Sequence, residues 1–251
     1  MFSPRVAALA LLLRRARIPY VVSPHDPYHP ALLEKKWLLK LAYSPLERWV
    51  LNRARAIHLL SGVHVDHLRD FGVRSEVFVT SNGFSPSTLP RLEQIGIDRS
   101  ENRIRLLYLG RMDVHHKGLD LLVQALAASQ DRLPESLSLT FKGPGFRNPA
   151  TLARLVARLD LQRQVSFESP DYARHPVCII GDFDLLVLPS RYDGFGLTVL
   201  ESMLAQVPVM VSSSAGVAEH VANSQSGIVV FPTVDSIARG LAEMASNRSQ
   251  W

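Results

Sequence analysis

The chain predicts an α/β protein built on a parallel sheet covered by helices. Three observations carry this reading. Strands such as Leu185-Leu186-Val187-Leu188 are apolar without alternation, which requires burial on both faces. From residue 103 onward, short apolar runs take turns with helix-length segments. Glycine-bearing loops follow directly after strands: Gly110-Arg111, Gly143-Pro144-Gly145, Ser190 to Gly196 and Ser212 to Gly216. That is where open parallel sheets bind ligands.

The elements follow in order. Pro4 to Ala16 reads as a helix leading into a strand, Ile18 to Pro24, whose β-branched residues end at a proline. Residues 31–55 read as helical, with Pro45 breaking them into two helices. Ala56 to Ser61 is a strand, Val63 to Phe71 a helix and Glu76 to Thr80 a strand. Ser81-Asn82-Gly83-Phe84-Ser85-Pro86, with Pro90 soon after, is turn-rich and is the best linker candidate. Then come strand Arg105–Gly110, helix Leu119–Ala128, strand Leu137–Lys142, helix Ala150–Leu159 and strand Val165–Glu168. Strand Asp184–Pro189, helix Leu197–Ala205, strand Val207–Ser212, helix Ala218–Ala222, strand Gly227–Phe231 and helix Ser236–Ala245 complete the series. This divides the chain into residues 1–85, a linker over 86–102, and a second domain over 103–251.

Composition narrows the function classes. The 251 residues are 47% hydrophobic and 20% charged, which excludes a disordered chain. Cys178 is the only cysteine, so a disulfide scaffold is excluded. No apolar stretch reaches the roughly 18–20 residues of a spanning helix. The apolar run Val6–Leu13 is followed, not preceded, by Arg14, Arg15 and Arg17, the reverse of a secretory signal. The net charge of +5 is unevenly spread: residues 1–90 hold 12 Lys+Arg against 6 Asp+Glu, whereas residues 91–251 hold 16 against 17. Such asymmetry points the first third toward an anionic partner; solvated helix faces are the alternative.

Three constellations can carry chemistry. In Pro189-Ser-Arg-Tyr-Asp193-Gly-Phe-Gly196-Leu-Thr-Val-Leu-Glu201 a strand ends, a Gly-x-Gly turn follows and a helix begins. The helix start offers free N–H groups and the positive end of a dipole, which suits phosphate. Asp193 and Glu201, eight residues apart, put carboxylates at the loop and two turns into the helix, where both ends of a sugar or ribose ligand find acceptors. A tight strand–helix turn with an Asp cap is the alternative. Gly110-Arg111 with Lys117-Gly118 sets two cations before a helix, a pattern that neutralises a diphosphate or merely flanks a surface loop. His25, in Ser-Pro-His-Asp after a strand, is placed to bond a substrate hydroxyl or a leaving phosphate.

Together, Leu107-Tyr-Leu-Gly-Arg-Met-Asp-Val-His-His-Lys-Gly-Leu-Asp-Leu-Leu, Asp184-Leu-Leu-Val-Leu-Pro-Ser-Arg-Tyr-Asp-Gly-Phe-Gly-Leu-Thr-Val-Leu-Glu-Ser-Met and Pro208-Val-Met-Val-Ser resemble glycosyltransferase family 4, the glycosyl transferases group 1. Val79-Thr-Ser-Asn-Gly-Phe is similar to the family's interdomain Pro-Asn-Gly segment, and Ile18-Pro-Tyr-Val-Val-Ser-Pro-His to the strand before a family active-site His. The resemblance implies a retaining enzyme of GT-B fold. Residues 103–251 would be a Rossmann-like nucleotide-sugar domain, and residues 1–85 an incomplete Rossmann-like acceptor domain. It also implies that this is the middle part of a longer enzyme. A non-catalytic nucleotide-sugar-binding fragment, completed by further segments or a partner, is the alternative function.

The family's roles fall on matching positions. Arg111 and Lys117 would bind the donor diphosphate and stabilise its departing charge beside Gly110. Asp193 stands where the family has the first Glu of a Glu–x7–Glu pair and would hold donor-sugar hydroxyls; it is one methylene shorter. Glu201 matches the second Glu and would hold the ribose. Gly194, Phe195, Gly196, Leu197 and Thr198 would face sugar and phosphate, the last four through their N–H groups. His25 would line the reaction centre from the other domain. No metal or cofactor is expected, the nucleotide-sugar being a substrate. The Asp182-Phe-Asp184 sequence imitates a metal-binding Asp-x-Asp but opens a strand in a different pattern. His64, His67, His115 and His116 lack a third ligand in sequence, Cys178 reads as a small buried residue, and Asn247-Arg-Ser249 as an unused glycosylation acceptor. The acceptor would be a glycan or lipid-linked glycan at the cytoplasmic membrane face. Lys35, Lys36, Lys40 and Arg48 with Trp37 and Trp49 could meet an anionic membrane, unless the two Trp rings pack inward. Nucleic acid is not expected as a partner.

Overall fold

A computed structural model describes residues 4–25, 28, 37–85, 87, 89–90, 103–134, 136–145 and 149–247, with backbone alone at 37–41 and 149. The chain divides into two compact units, Met1–Asn82 and Gly83–Trp251. The expected linker over 86–102 lies outside the described residues except for Ser87, Leu89 and Pro90.

The first unit is a three-stranded parallel sheet of order β1-β2-β3: Val21–Val22, Ala56–Leu59 and Val77–Val79. Val21 pairs with Ala56, and Ile57 with Val77. Its helices are α1 (Pro4–Arg15), α2 (Trp37–Leu51) and α3 (Val63–Asp70). Ile57, Leu59, Leu51, Leu68, Val73 and Tyr28 form its core. Two expectations need correction. Strand β1 shrinks to two residues because Pro19 and Pro24 lack the N–H a ladder needs. Helix α2 runs unbroken through Pro45. The residues after Pro45 are held by tertiary packing, Val50 against Ala7 and Ala10 of α1, and Leu51 in the sheet's core. That packing outweighs the local cost of the proline. Helix α1 buries Ala7 and Ala10 and turns Val6, Leu9, Leu11 and Leu12 outward.

The second unit is a six-stranded, fully parallel sheet of order β6-β5-β4-β7-β8-β9. Its strands are β4 (Ile104–Leu109), β5 (Leu137–Lys142), β6 (Val165–Glu168), β7 (Leu185–Leu188), β8 (Val209–Ser212) and β9 (Gly227–Val230). The helices are α4 (Leu119–Ala128), α5 (Pro149–Arg158), α6 (Pro176–Ile180), α7 (Leu197–Leu204), α8 (Ala218–Ser224) and α9 (Val234–Ser246), with a 3₁₀ turn at Gln130–Arg132. All four residues of β7 and of β8 are buried, as their unalternating sequences demand. The short helix α6 was not expected; His175 caps it, its Nδ1 accepting the Val177 N–H at 3.2 Å, with Pro176 at the first helical position. Winding goes outward from β4 through β5 to β6, then returns to β7 and proceeds through β8 to β9. With right-handed crossovers, the reversal puts helices on both faces and opens a crevice between β4 and β7 at their carboxyl ends.

Candidate functional site

The loops that leave β4 and β7 form this crevice, and they are knitted together. The Arg191 guanidinium bonds both Asp120 carboxylate oxygens, at 2.7 and 2.8 Å, and the His115 carbonyl at 2.7 Å. The Arg191 N–H donates to the His116 carbonyl at 3.1 Å. The His116 ring stacks on Tyr192 with centroids 3.9 Å apart. Gly118, at φ 63°, lies so close to the Pro189 carbonyl that a Cβ would overlap it. Only glycine combines that handedness with that approach.

Inside this frame the structure brings together Lys117 and Asp193, expected on opposite loops. Lys117 Nζ donates to Asp193 Oδ2 at 2.5 Å, and Ser190 Oγ reaches the same oxygen at 3.4 Å. Both side chains are about 15% exposed, at 15% and 14%, so the pair is sheltered yet open on one side. The Asp193 backbone is pinned as well: its N–H donates to the Ser214 carbonyl, and its carbonyl accepts from the Gly216 N–H. The loop after β8 thereby joins the site.

Gly196, at φ 95°, caps α7 without any side-chain cap, leaving the first N–H groups of the helix for a ligand. Leu197 is exposed and Thr198 half-buried at that end, whereas the Phe195 ring is buried and serves as an anchor beneath the loop. Gly194 is half-buried between Asp193 and that anchor. Two turns into α7, Glu201 is half-buried, and burial pushes its carboxyl from 4.5 up to about 7. Gly110, which ends β4, donates its N–H to the Lys142 carbonyl. Arg111 is exposed; its carbonyl is held at 2.7 Å by the hydroxyl of Tyr108, whose ionisation burial strongly opposes. Burial, then the Lys117 charge, lower the His116 imidazole below its ordinary value, so it stacks on Tyr192 as the neutral ring.

His25 belongs to the other unit. It follows β1, is exposed, and has the left-handed φ of 51°. The Asp182-x-Asp184 pair is split: Asp184 accepts from the Arg105 N–H at 2.7 Å and pairs with its guanidinium, while Asp182 pairs with Arg174 at 2.7 Å. No group of three or more His, Cys, Asp or Glu placed to hold a metal occurs among the described residues. Cys178 is half-exposed, more open than the buried residue expected. Lys35 and Lys36 lie outside the described residues, as do the side chains of Trp37 and Lys40. Trp49 packs by α1 with Arg14 and Arg53 over its ring, and Arg48 lies over Phe71.

Arg191, Asp120 and Tyr192 are members that reading the sequence did not single out, and His116 was weighed there only as a metal ligand. Arg191 and Tyr192 lie within the quoted Pro-Ser-Arg-Tyr-Asp motif, but their partners are more than 70 residues away, and no local pattern signals a bond at that range.

Residues 93–250 match the family model for glycosyl transferases group 1, with the crevice loops inside the match. The chain belongs to that family. In this group 1 chain, residues 1–83 match a glycosyl transferase 4-like domain as well. An uncharacterised glycosyltransferase of Methanocaldococcus jannaschii is 31% identical over 154 residues, 61% of this chain and 38% of that protein. D-inositol 3-phosphate glycosyltransferase of Corynebacterium urealyticum is 30% identical over 128 residues, 49% of this chain and 30% of that one. The group 1 chain thus spans well under two thirds of these relatives. Sucrose-phosphate synthase of Thermosynechococcus elongatus superposes with a TM-score of 0.77 at 18% identity, over 97% of this chain and 63% of that one. Anabaena HepE, in complex with UDP and glucose, gives 0.76 at 22%, over 98% and 67%. These likenesses establish the GT-B fold, two Rossmann-like parallel sheets.

Proposed function

We propose that the protein is a retaining glycosyltransferase that moves a sugar from a nucleotide diphosphate donor to a hydroxyl of a glycan or lipid-linked glycan. The observation that carries this is the Lys117–Asp193 pair beside the uncapped start of α7, in the crevice between β4 and β7. A diphosphate takes Lys117 and the α7 N–H groups, with Arg111 adding charge. Asp193, freed from the ammonium, then accepts hydrogen bonds from the sugar hydroxyls. Glu201, as carboxylate, accepts from the ribose. The bond from the anomeric carbon to the phosphate oxygen breaks, and its electron pair leaves with the diphosphate. The acceptor hydroxyl attacks from the same face, and its proton passes to the departing phosphate oxygen. Stabilising that negative charge with fixed cations and amides is the protein's main contribution. His25 is assigned to the reaction centre on the acceptor side. No metal or cofactor takes part in this scheme.

HepE binds UDP, as its complex shows, and this supports a nucleotide ligand here. The basic first third and the outward leucines of α1, beside Arg5, Arg15 and Arg17, support an anionic membrane face on the acceptor side. No helix of the described residues is long and apolar enough to cross a membrane; attachment at the cytoplasmic face is part of the proposal. Calorimetry with UDP, GDP and ADP tests the donor site: at least one nucleotide binds wild type, and the Lys117→Ala, Glu201→Ala double variant loses it. If no nucleotide distinguishes the two proteins, the assignment is wrong. Binding without transfer of labelled sugar would instead favour a nucleotide-sugar-binding fragment that needs further segments or a partner.

A further inference from the structure

A cavity lies at the opposite, amino-terminal end of the strands of the six-stranded sheet. It has a volume of about 710 Å³ and is lined by Arg103, Gln130, Ser136, Ser138, Arg163 and Gln164, with Leu137 at its base. Arg103 immediately precedes β4, Ser136 and Ser138 flank the first residue of β5, and Arg163 and Gln164 immediately precede β6. The strands are parallel, so these residues gather at the amino ends of β4, β5 and β6, while the donor loops leave the carboxyl ends. The cavity is therefore separate from the crevice and independent of the donor reading.

Its chemistry is selective. Among the described residues, six of the seven that line it carry side-chain hydrogen-bond donors, two are permanently cationic, and none is a carboxylate. The Gln130 and Gln164 amides bond each other head to tail, Gln130 Nε2 to Gln164 Oε1 at 2.8 Å and the reverse at 3.4 Å. Each amide is thus fixed in orientation and keeps one N–H and one oxygen lone pair for a ligand. A group that both donates and accepts matches such an amide pair and the two serine hydroxyls. Sugar hydroxyls are groups of this kind. The two guanidiniums demand negative charge, in the planar form of a carboxylate or the oxygens of a phosphate. The volume is within the range of small-ligand sites and accommodates one or two pyranose rings.

We infer that this cavity is a second carbohydrate site, which binds a sugar bearing a phosphate or carboxylate. It gives the donor unit a hold on an anionic glycan or sugar away from the transfer centre. Titration calorimetry on the whole chain tests it with glucose 6-phosphate and glucuronate, against glucose and inorganic phosphate. One or both anionic sugars bind, while glucose and inorganic phosphate bind at least about tenfold more weakly, because each satisfies only half of the lining. The Arg103→Gln, Arg163→Gln variant loses that binding by at least about tenfold, with an unchanged thermal melt. Lys117→Ala keeps it. Amide resonances of Ser136, Ser138 and Gln164 shift on titration and those of Gly196 and Leu197 do not. Absence of binding, equal binding of inorganic phosphate, or shifts confined to the donor loops overturns the inference.

Discussion

Asp193 is one methylene shorter than a glutamate, and in the structure its carboxylate spans to Lys117. In the proposed scheme the pair separates, Lys117 going to the diphosphate and Asp193 to the sugar, so each single alanine variant should lower kcat/KM by about 10²-fold or more and the two losses should roughly multiply. A double-mutant cycle on transfer rate measures this; a double variant that costs little beyond either single one would mean that the two act only as a pair. Glu201 makes a second prediction. Its carboxyl is raised to about 7, so it is ionised above that pH and protonated below. If the ribose needs the carboxylate, apparent affinity for an intact nucleotide-sugar scales with the ionised fraction and is about tenfold weaker at pH 6 than at pH 8. Glu201→Gln flattens the profile. The stability linkage has the opposite sign. A carboxyl with a raised folded pKa opposes folding when ionised, so this residue costs stability progressively as pH rises from 4.5 through 7. Wild type should therefore lose ground to Glu201→Gln in thermal melts as pH rises from 4.5 to 7, and the difference should level off above 7.

Among the elements, the two crevice loops depend on Gly118. An alanine there meets both a left-handed backbone and the Pro189 carbonyl, so Gly118→Ala should cost about 1–3 kcal/mol in urea unfolding and weaken nucleotide binding with it. An unchanged midpoint would show that the loops are not held as described. The same elements show where sequence is informative. Helix α4 and strands β5 and β6 begin and end where their apolar runs meet turn residues, because local pattern and tertiary packing agree there. Helix α6 escaped notice because Pro-Val-Cys-Ile-Ile is too short for a helical period to show. Pro45 misled because its local penalty is visible in sequence and the packing that overrides it is not. At the site, Lys117, Asp193 and Glu201 were legible as motif positions following strands. The bond between Lys117 and Asp193 was not. Arg191 with Asp120, and His116 with Tyr192, become neighbours only once the sheet reverses between β4 and β7.

At the scale of the molecule, every residue assigned to the donor lies in Gly83–Trp251, and His25 lies in Met1–Asn82. His25→Ala should therefore leave nucleotide affinity within about twofold while lowering transfer; a parallel loss of binding would place His25 in a different role. The sheet's reversal has one more consequence. Lys117 arrives on the outward-going half, β4 to β6, and Asp193 and Glu201 on the returning half, β7 to β9. One connection joins the halves, the segment between β6 and α6, where Tyr172 is 84% exposed. A single protease cut at Tyr172 would turn the second unit into two complementary fragments, neither of which owns a whole donor site. For such a nicked protein the nucleotide becomes a clasp: it should raise the melting temperature of the cut form more than that of the intact chain, since only in the cut form does it hold together pieces that are free to leave.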